Sequence, residues 1–148
     1  MKVEVATPED AAEIAALGRR LHDTSVYAGI AYNEPKVEDL MRHLAGGAGV
    51  VFVVRSEGRI VGGIAGGVAP WWFSDEVHGF EYSFFITPEH ANGFAAMRLV
   101  TALRLWCKAR GARVVRMGIT TGIHQDHTAK LYRLIGMRDV GQLFEMEV

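Results

Sequence analysis

The sequence has a single cysteine, Cys107, so an internal disulfide is excluded and a reducing compartment is the expected setting. It lacks any apolar run of the roughly 18 residues that a membrane span requires. The opening MKVEVATPEDAAEI holds no long apolar core of the kind a secretory leader carries. An excess of one charge is missing too: 16 basic residues face 17 acidic ones, a net −1. No basic field invites nucleic acid, and no block of like charge marks a tail. Linkers, repeats and low-complexity stretches are also absent. These absences predict a single cytoplasmic domain over residues 1–148, not bound to a membrane, whose 49% hydrophobic content is enough for a real core.

Periodicity then divides the chain. KVEVA (2–6) alternates and predicts a short strand. Thr7-Pro8-Glu9-Asp10 has the order of a helix start: capping residue, proline in the first turn, then acids. Ile14, Leu17 and Leu21 keep helical spacing. A second helix is expected from about Pro35, ending at Gly46-Gly47. Residues 49–55 read as a buried strand, Ser56-Glu57-Gly58-Arg59 as a hairpin turn, and 60–69 as its partner. A long strand over about 77–87 follows the loop PWWFSDE. Helices are predicted over 92–110 and 126–135, with a strand at 113–119 between them and an extended segment from Met137 to Met146. The order β-α-α-β-β-β-α-β-α-β predicts a mixed α/β fold of α+β-like order. Its central twisted sheet is mostly antiparallel, with one βαβ crossover and helices on both faces.

The chemistry-bearing candidates cluster around that crossover. ITPEHANGFAAM (86–97) places a tight turn between a strand and a helix start, where successive amides and the helix dipole favour a phosphate. Gly93 and Asn92 both tolerate the positive φ such a loop often needs. VGGIAGG (61–67) is glycine-rich but follows a hairpin and opens no helix, so it reads as a strand with a bulge or a close approach. His124 and His127 flank Asp126, but no further Cys or His cluster completes a metal site, and no metal is expected. Strand alternation sets Glu81, Ser83 and Phe85 on one face, and His78, Phe80, Tyr82 and Phe84 on the other. Glu81 and His78 therefore share a site only if a bulge re-aims the strand. Trp71, Trp72 and Phe73 form the most apolar loop. Cys107 lies on a helical core stripe.

Taken together, these residues resemble the GNAT superfamily of N-acetyltransferases, which use acetyl-coenzyme A. The element order matches over nearly the whole chain. Ile86-Thr87-Pro88 gives the family's hydrophobic-x-Pro step, and Ala96 fills the last small position of its [R/Q]-x-x-G-x-[G/A] turn. Ala91 stands where the family has Arg or Gln, and Phe94 where it has glycine. Ala129-Lys130-Leu131-Tyr132, followed by Gly136-Met137, resembles the family's A-x-x-L-Y helix at Leu131 and Tyr132, with Thr128 standing at the place of its alanine. Pro88, Gly93, Ala95, Ala96, Thr121 and Gly122 also resemble a subgroup met in phage and prophage genomes, from which Ala91 and Asn92 depart.

The resemblance implies transfer of an acetyl group to a primary amine, carried by a small molecule or a peptide, by direct attack. It implies that amides from Asn92 through Gly93, Phe94, Ala95 and Ala96 to Met97, beside Ala91, hold the pyrophosphate. The sheet would splay beside the long strand, with amides near Ile86 on the pantetheine arm and His124 at the same arm. Tyr132 would assist the leaving thiolate. Glu81, His78 or water would take the amine's proton. Tyr27 and Tyr32 would face the acceptor, and Trp71, Trp72 and Phe73 would line the acceptor pocket or a subunit interface. Family habit implies a homodimer. The missing arginine and the bulk of Phe94 also fit a non-catalytic acyl-CoA-binding module of the same fold.

Overall fold

The computed structural model describes residues 1–148. Strand β1 (Val3–Val5) leads to a 3-10 turn and helix α1 (Ala11–Thr24). The Asp10 carboxylate accepts the Thr7 N–H at 2.9 Å, so the Thr-Pro-Glu-Asp start works as its order predicts. Helix α2 (Glu34–His43) is capped by Asn33, whose side chain accepts the Lys36 N–H. It unwinds through Leu44–Ala48, where Gly47 adopts φ 118°. Strands β2 (Val50–Ser56) and β3 (Arg59–Pro70) form the hairpin, with Glu57 and Gly58 both at positive φ, as a two-residue type I′ turn requires. Strand β4 (Val77–Ile86), helix α3 (Gly93–Ala109), the two-residue strand β5 (Val115–Arg116) and helix α4 (Gln125–Leu134) complete the order.

The sheet runs β1-β2-β3-β4-β5, antiparallel throughout except for the parallel β4–β5 pair. Strand β2 is buried on both sides, which explains its unbroken apolar run. Val51 and Val53 face α1 and α2 in one core cluster with Ile14, Met41 and Phe85. Val50, Phe52 and Val54 face α3 and α4 in a second cluster with Leu99, Leu103 and Cys107. The glycines of β3 serve close packing, as their strand context implied. A side chain on Gly66 would run into the Phe80 carbonyl and the Leu103 side chain.

The expected last strand is not formed. Residues 137–148 form no strand, and Leu143 and Phe144 are 81% and 85% exposed. A period-2 pattern becomes a strand only beside a partner, and β5 is itself only two residues long rather than the seven of 113–119.

Candidate active site

Strands β4 and β5 pair only at Gly79–Val115 and Phe80–Arg116. Beyond that point they diverge, and a cavity of about 540 Å³ opens between residues 81–86 of β4 and 118–121 after β5. Helices α1 and α2 close one side, and the first turns of α3 and α4 close the other. On its far edge β4 remains paired with β3, and the Thr87 N–H donates to the Val61 carbonyl at 2.8 Å. Backbone groups alternate along a strand, so those of Phe84 and Ile86 turn into the gap.

A bulge then decides which β4 side chains meet the cavity. Ala65 pairs with Ser83 and Gly66 with Glu81, which leaves Tyr82 as the extra residue. Gly79 lies against Cys107 on the α3 side, and Glu81 follows it there, near Tyr132. After the bulge Phe84 takes that face, while Phe85 packs against α1 and α2. Simple alternation, which groups Glu81 with Ser83 and Phe85, is therefore wrong at this point. Glu81 lines the cavity and accepts the Gly118 N–H at 3.1 Å. Burial pushes its carboxyl above the ordinary range, and the Gly118 amide only partly offsets this. His78 lies upstream of the bulge, stacks on Trp71 with centroids 3.9 Å apart, and does not reach the cavity.

Tyr132 enters from α4. It is buried, stacks on Phe84 at 6.4 Å, and lines the cavity. Burial first, and the nearby Glu81 charge second, push its phenol well above the ordinary range, so it keeps its proton throughout the neutral region. Neither Tyr132 nor Glu81 is engaged by a lysine or arginine. His124 also lines the cavity and caps α4 in the left-handed region (φ 45°, ψ 41°), a conformation unusual for a non-glycine residue.

The turn into α3 is narrower as an anion site than its sequence implies. Asn92 is the N-cap, extended at φ −147°, and its Oδ1 accepts the Ala95 N–H at 2.9 Å. The Asn92 carbonyl accepts the Ala96 N–H, and Met97 lies within the helical ladder. The amides of Gly93 and Phe94 are left without a partner in the chain. Neither Asn92 nor Gly93 needs a positive φ, contrary to expectation, because the turn is an ordinary capped helix start. Ala91, Asn92, Gly93, Ala96 and Ile86 line the cavity; Phe94, Ala95 and Met97 do not. The Phe94 ring projects outward, 76% exposed, and obstructs nothing.

Tyr27 and Tyr32 both line the cavity on the α1–α2 side. The Tyr32 hydroxyl is already spent, donating to the Ala15 carbonyl at 2.7 Å, so this ring is a wall and not a free polar group. Trp71, Trp72 and Phe73 do not line the cavity. They form their own stack with His78, with Arg116 over the Trp71 ring at 5.0 Å. His22, Gly118 and Thr128 belong to the cavity but escaped sequence reasoning. His22 lies in the last turn of α1, one residue past the Ile14, Leu17 and Leu21 stripe, and nothing in its neighbours marks it. No group of three or more His, Cys, Asp or Glu side chains is placed to hold a metal ion.

Comparison with solved structures shows the same fold in many chains. An aminoglycoside acetyltransferase from an uncultured soil metagenomic sample superposes with TM-score 0.74 at 21% identity, covering 100% of this chain and 99% of that one. The ribosomal-protein-alanine N-acetyltransferase of Brucella melitensis biovar Abortus 2308 gives 0.74 at 16% identity, with full coverage of both chains. AAC(6')-Iy in complex with the bisubstrate analogue CoA-S-monomethyl-acetylneamine gives 0.77 at 11% identity over 99% of this chain and 97% of that one. No curated protein matches the sequence. The profile of the acetyltransferase (GNAT) family matches residues 19–137, most of the chain and every element from the end of α1 through α4, and the protein belongs to that family.

Proposed function

We propose that this protein is an N-acetyltransferase that moves an acetyl group from acetyl-CoA to a primary amine. The observation that carries the reading is the convergence of Glu81, Tyr132 and the unpaired edge of β4 on one cavity. The residues suit the co-substrate in two ways. Gly93 and Phe94 offer unpartnered amides at a helix start, the place where a pyrophosphate is favoured. Phe84 and Ile86 offer free backbone groups for the pantetheine arm, and His124 lines the same cavity. Bound acetyl-CoA supplies the activated acetyl carbonyl. Glu81, more basic than an ordinary carboxylate, accepts the proton that keeps an ammonium from attacking. Tyr132 keeps its O–H and donates a hydrogen bond where negative charge builds on sulfur.

A lone buried cysteine fits a cytoplasmic setting, and no helix is long and apolar enough to cross a membrane. The exposed apolar C-terminal segment supports a homodimer in which a second copy covers it. Kinship with the phage-type subgroup rests on Pro88, Gly93, Thr121 and their neighbours alone. The test combines thermal shift with free-thiol release on acetyl-CoA and a set of amines. Stabilisation by acetyl-CoA together with amine-dependent thiol release is expected. Stabilisation without release from any amine would make the chain the acyl-CoA-binding module instead. Neither effect would remove the reading.

A further inference from the structure

The charges of the cavity wall restrict the acceptor. Glu81 is the only acidic residue lining the cavity, and no lysine or arginine lines it. Opposite Glu81 the α1–α2 wall is mostly apolar and aromatic, with Leu21, Val37, Leu40 and Met41 beside Tyr27 and Tyr32, and it holds no carboxylate, its polar side chains being His22 and Ser25. The nearest acids of α1 and α2 are turned elsewhere. Glu34 is held by Arg19 at 2.8 Å and Glu38 by Arg42 at 2.6 Å, and neither lines the cavity, nor does the exposed Asp23. An ammonium placed against Glu81 has a partner. A second ammonium on the same molecule would find no second carboxylate on the wall, and a carboxylate would find no lysine or arginine. A charge moved from water to such a wall without a partner is strongly disfavoured.

We infer that the acceptor is a primary monoamine with an apolar body, carrying neither a second cation nor a carboxylate. The inference rests on the acetyltransferase reading of the same cavity and narrows it. It separates this chain from the aminoglycoside acetyltransferases that share its fold, because aminoglycosides carry several ammonium groups. The transfer balances with one charged group on the acceptor. The amine nitrogen bonds to the acetyl carbon, the C–S bond breaks with its electron pair on sulfur, and of the two protons the ammonium loses, one passes to Glu81 and on to solvent while the other ends on sulfur. Sulfur leaves as the free thiol. The ammonium meets Glu81 at one end of the cavity, and the apolar body lies along Leu40 and Tyr27.

Two matched pairs test this on the full chain with acetyl-CoA. Hexylamine and 1,6-diaminohexane differ by one ammonium, and 2-phenylethylamine and phenylalanine differ by one carboxylate. Thiol release gives kcat/KM for each. The uncharged-body member of each pair is expected to win by at least about tenfold, the factor set by some 1.4 kcal/mol of unpaired charge. Equal or better use of diaminohexane or phenylalanine overturns the inference while leaving the transferase reading intact. If none of the four is acetylated, calorimetric titration of each amine into the CoA complex reads the same preference. There, tighter binding of the charged members overturns the inference. Failure of acetyl-CoA itself to bind is a different outcome and overturns the transferase reading beneath it.

Discussion

Gly93→Pro isolates the proposed phosphate cradle from the fold. Gly93 is the first residue of α3, where proline is favoured and the lost N–H has no partner in the chain. Asn92 before it is extended at φ −147° and ψ 151°, the region a residue preceding proline adopts. A side chain built on Gly93 meets nothing within 4 Å. The variant should therefore fold and keep the Asn92 cap on Ala95. Stability should stay level or rise by about 0.4–1 kcal/mol, because the unfolded chain loses freedom. What disappears is one of two free amides. A hydrogen bond to a charged group contributes about 1.5–3 kcal/mol, so the Kd for acetyl-CoA should rise roughly 10- to 150-fold. Isothermal titration alongside a melting curve reads both quantities. A variant that melts like the parent and binds acetyl-CoA equally well would show that the pyrophosphate is not held at this helix start.

Other variants probe the remaining parts. Tyr132→Phe keeps the stack on Phe84 and should lower kcat and kcat/KM together by about 10²-fold with KM unchanged, measured by thiol release. A raised KM with kcat intact would make Tyr132 a binding residue. Ala91→Arg places a charge on the cavity rim and should tighten acetyl-CoA binding about two- to fivefold at low salt, with the gain fading as salt rises. Unchanged affinity at low salt would turn position 91 away from the phosphates. Arg55→Met removes the guanidinium that binds Asp10 at 2.8 Å and Glu4 at 3.1 Å, and should cost about 1.5–3 kcal/mol in denaturant melts. Burial alone would raise the Asp10 carboxyl, but Arg55 and the Thr7 amide hold it below the ordinary range. That stabilisation is present above the unfolded value of 3.8 and is lost as pH falls through the folded one, so the variant should also flatten the acid limb of the stability profile.

Much of the fold was legible because its signals are local. The Thr7 start, the helix start near Pro35, the Glu57-Gly58 turn and the double-sided burial of residues 50–54 all follow from capping, turn chemistry and period. The last strand failed because Met137–Met146 carries a strand pattern with no partner beside it, and pairing is not local. At the site, Ile86, Asn92, Gly93 and Tyr132 were reached through strand-turn-helix order and the Ala129–Tyr132 pattern. Three things were not legible. The bulge at Tyr82 depends on register against Gly66 on the preceding strand, which periodicity within β4 does not reveal. The amides of Ala95 and Ala96 are consumed by the Asn92 cap, which only the backbone geometry reveals. The aromatics of residues 71–73 looked like a pocket wall by composition, but they stack on His78 outside it.

The most direct test of the central claim is amine-dependent acetyl transfer by Glu81→Gln, measured with the acetyl-CoA affinity of the same variant. Glutamine keeps an acceptor for the Gly118 N–H and removes only the basic carboxylate. Because the folded Glu81 carboxyl is raised, its ionised form costs stability once pH climbs through the folded value, so the neutral variant should be slightly more stable near pH 7. The account predicts kcat/KM lower by about 10²–10³-fold, with acetyl-CoA binding unchanged. Parental transfer rates in this variant, with acetyl-CoA bound as before, would contradict it.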